Sequence, residues 1–213
     1  INLSGKTWTA IGSTTNSFCG TFDGNGKTIS GLTSPLFDTV GETATVKNLT
    51  VCGDVTGDAM TGMLAITNKG TIDSCAALGT VYAAKYSGSL AAGGIAAKNE
   101  GTIRSCASPA SVKHISAYNS PLNTGGLVGS NAGTIEACYS TGSVETNTSK
   151  YGTSGVGGLV GQNTASGKVN ACYAAGSVNG YTGSFAAFIG TNNGEISGSY
   201  YRVTAADKGV ASG

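Results

Sequence analysis

Gly125 through Cys138 reads Gly-Gly-Leu-Val-Gly-x-Asn-x-Gly-Thr-Ile-x-x-Cys, and degraded copies of that phrase recur along most of the 213 residues. The glycine before Thr-Ile, or before its equivalent, falls at Gly70, Gly101, Gly133, Gly167 and Gly194. A unit of this length cannot bury its own apolar face, and stacked copies share one core, so the chain is first of all a repeat array. Two residues before this glycine stands an asparagine: Asn68, Asn99, Asn131 and Asn192. Asn163 joins them once Thr164 to Ser166 is read as carrying a short insertion. After the glycine come Ile72, Ile103, Ile135, Val169 and Ile196, then Cys75, Cys106, Cys138, Cys172 and, in the last copy, Ser199. Copies close on Val81, Val112, Val144 and Val178. The amino-terminal part fits more loosely, through Ile29 and Leu32 and then Val46, Leu49 and Val55.

Each copy holds short apolar stretches bounded by Gly, Asn, Ser or Thr, never a helical stripe, and glycine supplies 35 of the residues. That pattern means short strands and tight turns. Stacked in register, each strand pairs in parallel with its copy one layer away. The expected fold is therefore all-β, a single-stranded parallel β-helix of about seven layers, right-handed by the crossover rule. Residues 1–213 read as one β-helix domain: 1–55 an opening with partial rungs, 56–203 the repeats, 204–213 an exit segment. The start, Ile1-Asn2-Leu3-Ser4-Gly5, has neither an initiating Met nor a charged-then-apolar leader. We therefore expect an excerpt of a larger multidomain protein.

The columns have separate tasks. The Ile and Val columns fill a flat-sided interior, each buried member contributing about 1.5 to 3 kcal/mol. The asparagines sit where the chain must turn, where their amides can bond to one another and to backbone groups, and where Asn tolerates left-handed backbone. Four of the six cysteines share one position of the repeat, so Cys75, Cys106, Cys138 and Cys172 are expected to be buried free thiols; parallel neighbours hold their Cβ atoms too far apart for a disulfide. Whether Cys19 and Cys52 pair is left open.

Two features face outward. The residue after each column cysteine is Ala76, Ala107, Tyr139, Tyr173 and Tyr200, a row that either stiffens the sheet or receives something flat such as a sugar ring. The stretches of most variable length follow the closing valine and carry Tyr86, His114, Tyr118, Lys150, Tyr151 and Tyr181, the expected ligand-binding residues, because insertions in repeat proteins gather on one face.

Other chemistry is thinly represented. Charged residues make up 11% and the net charge is +1, so there is no basic stripe for nucleic acid. No apolar run is long enough to span a membrane. With His114 the sole histidine, no metal site is expected, and no cofactor is implied. No Gly-x-Ser-x-Gly elbow occurs, and Gly26-Lys27-Thr28 fails as a phosphate loop because Thr21 stands at the leading glycine position. The alternative enzyme reading is a polysaccharide lyase or hydrolase using Asp23, Asp38, Asp54 and Asp58. Asp23-Gly24-Asn25-Gly26 reads better as a tight turn, and Asp54 with Asp58 offers only two carboxylates to a calcium ion.

Gly126-Leu127-Val128-Gly129 and Gly158-Leu159-Val160-Gly161 resemble the core of the GLUG-motif repeats of bacterial secreted and cell-surface proteins. Trp8-Thr9-Ala10-Ile11-Gly12 and the run from Gly20 to Leu32 resemble the opening that commonly precedes them. Gly62 to Ile66 and Ala187 to Gly190 are weakened copies, and Ser34 to Asp38 lacks the usual glycines. The resemblance implies a β-helical body within large proteins such as adhesin-like surface proteins and IgA-cleaving metallopeptidases, whose zinc motif lies in another domain. It implies an exported bacterial stalk, spacer or recognition module, with host glycans or glycoproteins and neighbouring domains as partners, and no catalysis by this segment.

Overall fold

The computed structural model describes residues 1–84, 90–115, 122–146, 155–179, 184–202 and 209–212. One turn of the coil shows how the repeat folds. Thr134–Glu136 is followed by a sharp corner, then Tyr139–Ser140 and Val144–Thr146. After residues 147–154 the path resumes at Gly155–Gly157 and Val160–Asn163, and Lys168–Asn170 then lies beside Thr134–Glu136 in parallel register. The turns therefore stack as a parallel β-solenoid, with no helix among the described residues.

The strands form three sheets of 15, five and seven strands. The largest wraps round a corner because Thr45–Gly57 is long enough to pair with both Thr71–Asp73 and Ala76–Ala84. The five-stranded sheet counts five turns complete on every face, fewer than the seven layers expected. The seven-stranded sheet extends further, with Phe37–Val40 at one end and Val210–Ser212 at the other, for which the described residues give no counterpart in the five-stranded sheet.

The interior is built from the columns. Val46, Ile72, Ile103 and Ile135 are fully buried and in register, as are Val55, Val81, Val112 and Val144. Leu64, Ile95, Leu127 and Leu159 fill the opposite corner. The paired glycines ahead of that corner have a steric reason. A Cβ on Gly125 would lie 2.1 Å from the Val128 carbonyl oxygen, and one on Gly126 would lie 2.1 Å from Ser140 Oγ. At the amino-terminal end Phe18 and Phe22 pack on the buried Phe37, with ring centroids 5.1 and 5.6 Å away. Trp8 also packs on the core, and its Nε1 donates to the Pro35 carbonyl at 3.2 Å.

One expectation needs correcting. The left-handed corner is not at the asparagine column; the position that adopts positive φ in turn after turn is the one immediately before the Cys column, at Asn48, Ser74, Ser105, Ala137, Ala171 and Gly198. The inward turn of the following cysteine requires it. The asparagines turn the chain from ordinary strand backbone, with their side chains holding the turn.

Candidate functional site

Three ladders run through the stack beside this left-handed corner. The innermost is the amide ladder. Asn68 Nδ2 donates to Asn99 Oδ1, Asn99 to Asn131, Asn131 to Asn163 and Asn163 to Asn192, each at 2.8 Å. The same nitrogens also reach carbonyls at the turn that already accept a backbone N–H from the next layer, such as Gly101 O at 3.3 Å from Asn99 and Gly133 O at 3.1 Å from Asn131. Burying an amide is tolerable only with its hydrogen bonds made, and here nearly all are. The exception is Asn68 Oδ1, which is buried without a partner, because its neighbour in the preceding layer is Val40.

The cysteine column is the second. All four thiols are buried and free, and each donates to the carbonyl two residues back, at 3.1 Å for Cys106, Cys138 and Cys172. Cys75 N donates to Cys106 Sγ at 3.4 Å and Cys106 N to Cys138 Sγ at 3.3 Å, so the sulfurs also act as acceptors. Ser199 repeats the pattern, accepting from Cys172 N at 3.0 Å. Hydrogen bonding to its neighbouring thiols, and then burial, raise the Cys106 thiol well above the ordinary cysteine range, which keeps it protonated and inert. Cys19 is exposed and Cys52 half-buried, and both are unpaired.

The third ladder was overlooked in the sequence. In register on the outer face stand Asp23, Lys47, Asp73, Arg104, Glu136, Asn170 and Ser197. Their charges alternate. Lys47 Nζ lies 3.4 Å from Asp23 and Arg104 Nη2 lies 2.8 Å from Asp73. Asn170 Nδ2 donates to Glu136 Oε1 at 3.4 Å, and Ser197 Oγ donates to Asn170 Oδ1 at 3.0 Å. Arg104 holds the Asp73 carboxyl below its usual range, and the Asn25 backbone N–H followed by the Asn48 amide does the same for Asp23. The row occupies the position three residues after Gly70, Gly101, Gly133, Gly167 and Gly194, where the residues differ in chemistry from copy to copy.

Between the corner and the next strand lies a groove of about 580 Å³. Its floor is set by the register Thr50, Ala76, Ala107, Tyr139, in which three small side chains precede a ring. Its edge carries Asn25, Asn48, Ser74 and Ser105. Beyond Tyr139 the row continues with Tyr173 and Tyr200, exposed by 45%, 41% and 71% respectively, so the three rings form one surface strip.

Most of the expected binding residues, Tyr86, Tyr118, Lys150, Tyr151 and Tyr181, lie outside the described residues. His114 is described, and it is not on a loop. It belongs to the strand Ser111–Ile115, where alternation sends Lys113 out and His114 in, fully buried. Its Nδ1 lies 2.9 Å from Thr124 Oγ1, while Nε2 has no partner, nor does the buried Oγ1 of Thr146 beside it. Burial pushes its pKa down to about 4.

The early aspartates are not gathered. Asp23 closes its turn by accepting from Asn25 N at 2.9 Å, Asp38 belongs to the seven-stranded sheet, and Asp54 is paired with Thr80 on the second face of the largest sheet. Asn25 and Gly26 both have positive φ, as a tight turn requires. Among the described residues no group of three or more His, Cys, Asp and Glu is placed to hold a metal ion.

Parallel in-register turns, ladders through every layer and an outer face broken by a shallow groove define a repeat protein of the β-solenoid class. Two successive copies of the repeat match the family model of the GLUG motif, at residues 120–145 and 152–179. The chain thus carries that motif in tandem. Among solved structures it is similar to an IgA1 protease, with a TM-score of 0.60 at 19% identity over 87% of this chain. That likeness concerns the fold, and the chain spans 16% of that protein's length. No curated protein matches the sequence.

Proposed function

We propose that this segment is a noncatalytic β-helical module of an exported bacterial surface protein, at once a spacer and a recognition surface. The observation that carries the reading is the continuity of the ladders. Amide, thiol and charge columns pass from layer to layer, and side chains that would otherwise be available for chemistry are bonded to their own copies above and below. Such a body is rigid along its axis and repeats its outer surface at the strand spacing of about 4.8 Å, which suits display of a binding face. The GLUG repeats and the solenoid shared with part of an IgA1 protease support an extracellular setting. Host glycans or glycoproteins are the partners we assign, and other domains of the same polypeptide are the structures it would hold apart.

The test uses the purified chain. Incubation with a polysaccharide panel should release no hydrolysis or elimination products, and a glycan and mucin array should show binding. Product formation abolished by Asp23→Ala or Asp54→Ala would replace this reading with the enzymatic one.

A further inference from the structure

We infer that the groove beside the left-handed corner, between Asn48 and Tyr139, binds an extended, uncharged oligosaccharide. This rests on the reading of the module as a recognition surface and assigns that role to a site other than the long loops.

The geometry gives the ligand its shape. The groove follows the stacking direction across successive layers, since its edge residues Asn48, Ser74 and Ser105 occupy the same corner of three consecutive turns with φ of 53°, 54° and 53°. A ligand lying along it meets the same polar corner again at each layer, about 4.8 Å on. A linear polymer of similar units fits that periodicity.

The chemistry of the wall gives the ligand its class. Asn25, Asn48, Ser74 and Ser105 supply short polar groups along one side; Asn48 Nδ2 already donates to Asp23 at 3.1 Å and Ser74 Oγ to Asp73 at 2.9 Å, which leaves the Asn48 Oδ1 and the Ser74 lone pairs as acceptors. Tyr139 closes the far end, where the register changes from Ala107 to a ring, and an exposed aromatic face beside hydroxyl-rich polar groups takes the C–H face of a pyranose. Tyr173 and Tyr200 extend that platform.

Charge selects against acidic sugars. The flanking ladder pairs Lys47 with Asp23 and Arg104 with Asp73, so both cations of that ladder are already neutralised. A uronate or phosphate would have to displace those partners. An extended peptide is disfavoured for a different reason. The strand Ala107–Ser108 is paired on both sides, with Ala76 and with Tyr139–Ser140, so no free strand edge remains to be augmented.

The experiment is calorimetric titration of the intact chain with cellohexaose, mannohexaose and chitohexaose, with a hexamer of galacturonate as the charged control. Binding of at least one neutral hexamer is expected. Tyr139→Ala should weaken it about tenfold, as loss of an aromatic anchor does, and Tyr139→Phe should retain it. Ala107→Tyr should abolish it by filling the floor, and this variant is expected to fold because a tyrosine occupies the next layer of the same column. Unchanged melting temperatures would show the variants intact. No binding by any neutral hexamer, tighter binding of galacturonate, or binding that survives both Tyr139→Ala and Ala107→Tyr would overturn the assignment. Glycan binding that Tyr118→Ala removes and Ala107→Tyr spares would overturn the groove and leave the recognition module standing.

Discussion

Asn131 Nδ2 donates to Asn163 Oδ1 across 2.8 Å and, with the same nitrogen, reaches Gly133 O at 3.1 Å, so one buried side chain joins two layers and closes its own turn. Replacing it by Leu keeps the volume, leaves Asn163 Oδ1 without its donor and takes the acceptor Oδ1 away from Asn99 Nδ2. Unfolding free energy from denaturant titration should fall by about 3 kcal/mol. Asn131→Asp should cost more, since it buries a charge among acceptors. Asn192→Leu, at the half-buried end of the ladder, should cost less. Equal effects at the two positions would show that the amides do not act as a continuous ladder.

Ala137 and Ala171 adopt φ of 50° and 51°, are exposed, and carry a Cβ that this backbone region disfavours. Ala137→Gly and Ala171→Gly should each stabilise the protein by about 1 kcal/mol, the relief at the corner exceeding the entropy added to the unfolded chain. Ala107→Gly, in an ordinary strand, should destabilise it. Thermal unfolding of the three variants checks the sign.

A thiol-reactive probe on the native protein should label Cys19 quickly and Cys52 more slowly. Cys75, Cys106, Cys138 and Cys172 should stay unmodified until denaturant is added, when all six react without reductant. Rapid native labelling of Cys106 would contradict its burial.

Acid should destabilise the fold in two windows. His114 has its pKa lowered from 6.5 to about 4, so its contribution is intact above pH 6.5 and is lost as the pH falls from there towards 4, by about 3 kcal/mol in all. Asp23 and Asp73, with carboxyls held below 3.8, lose their stabilisation at lower pH. Comparing wild type with His114→Gln at pH 7 and pH 4.5 separates the two. The variant should lack most of the loss in the upper window.

The phrase from Gly125 to Cys138 made the fold legible because in-register stacking turns sequence columns directly into spatial ones. The Ile, Asn and Cys columns are interior ladders except at the last copy, where Ile196 is exposed. The corner was misplaced because Ala137 and Ala171 occupy left-handed backbone without the usual glycine signature, whereas asparagine, which has that signature, stands elsewhere. The charged row escaped notice because Asp73, Arg104 and Glu136 differ in chemistry while sharing a position. His114 was assigned to a loop because its strand runs past the closing valine, and one more step of alternation turns its ring inward. The count of seven layers exceeds the five turns that the five-stranded sheet marks among the described residues.

Every amide in the ladder donates towards the carboxyl-terminal end, leaving Asn68 Oδ1 as the unpaired acceptor at the other. The column is therefore a vector. Its local dipoles point the same way along the shaft, as peptide groups do in a helix, and its two ends are chemically inequivalent. A coil assembled from interchangeable turns thus carries an arrowhead: an asparagine in place of Val40, in the layer behind Asn68, would find an acceptor already aimed at it.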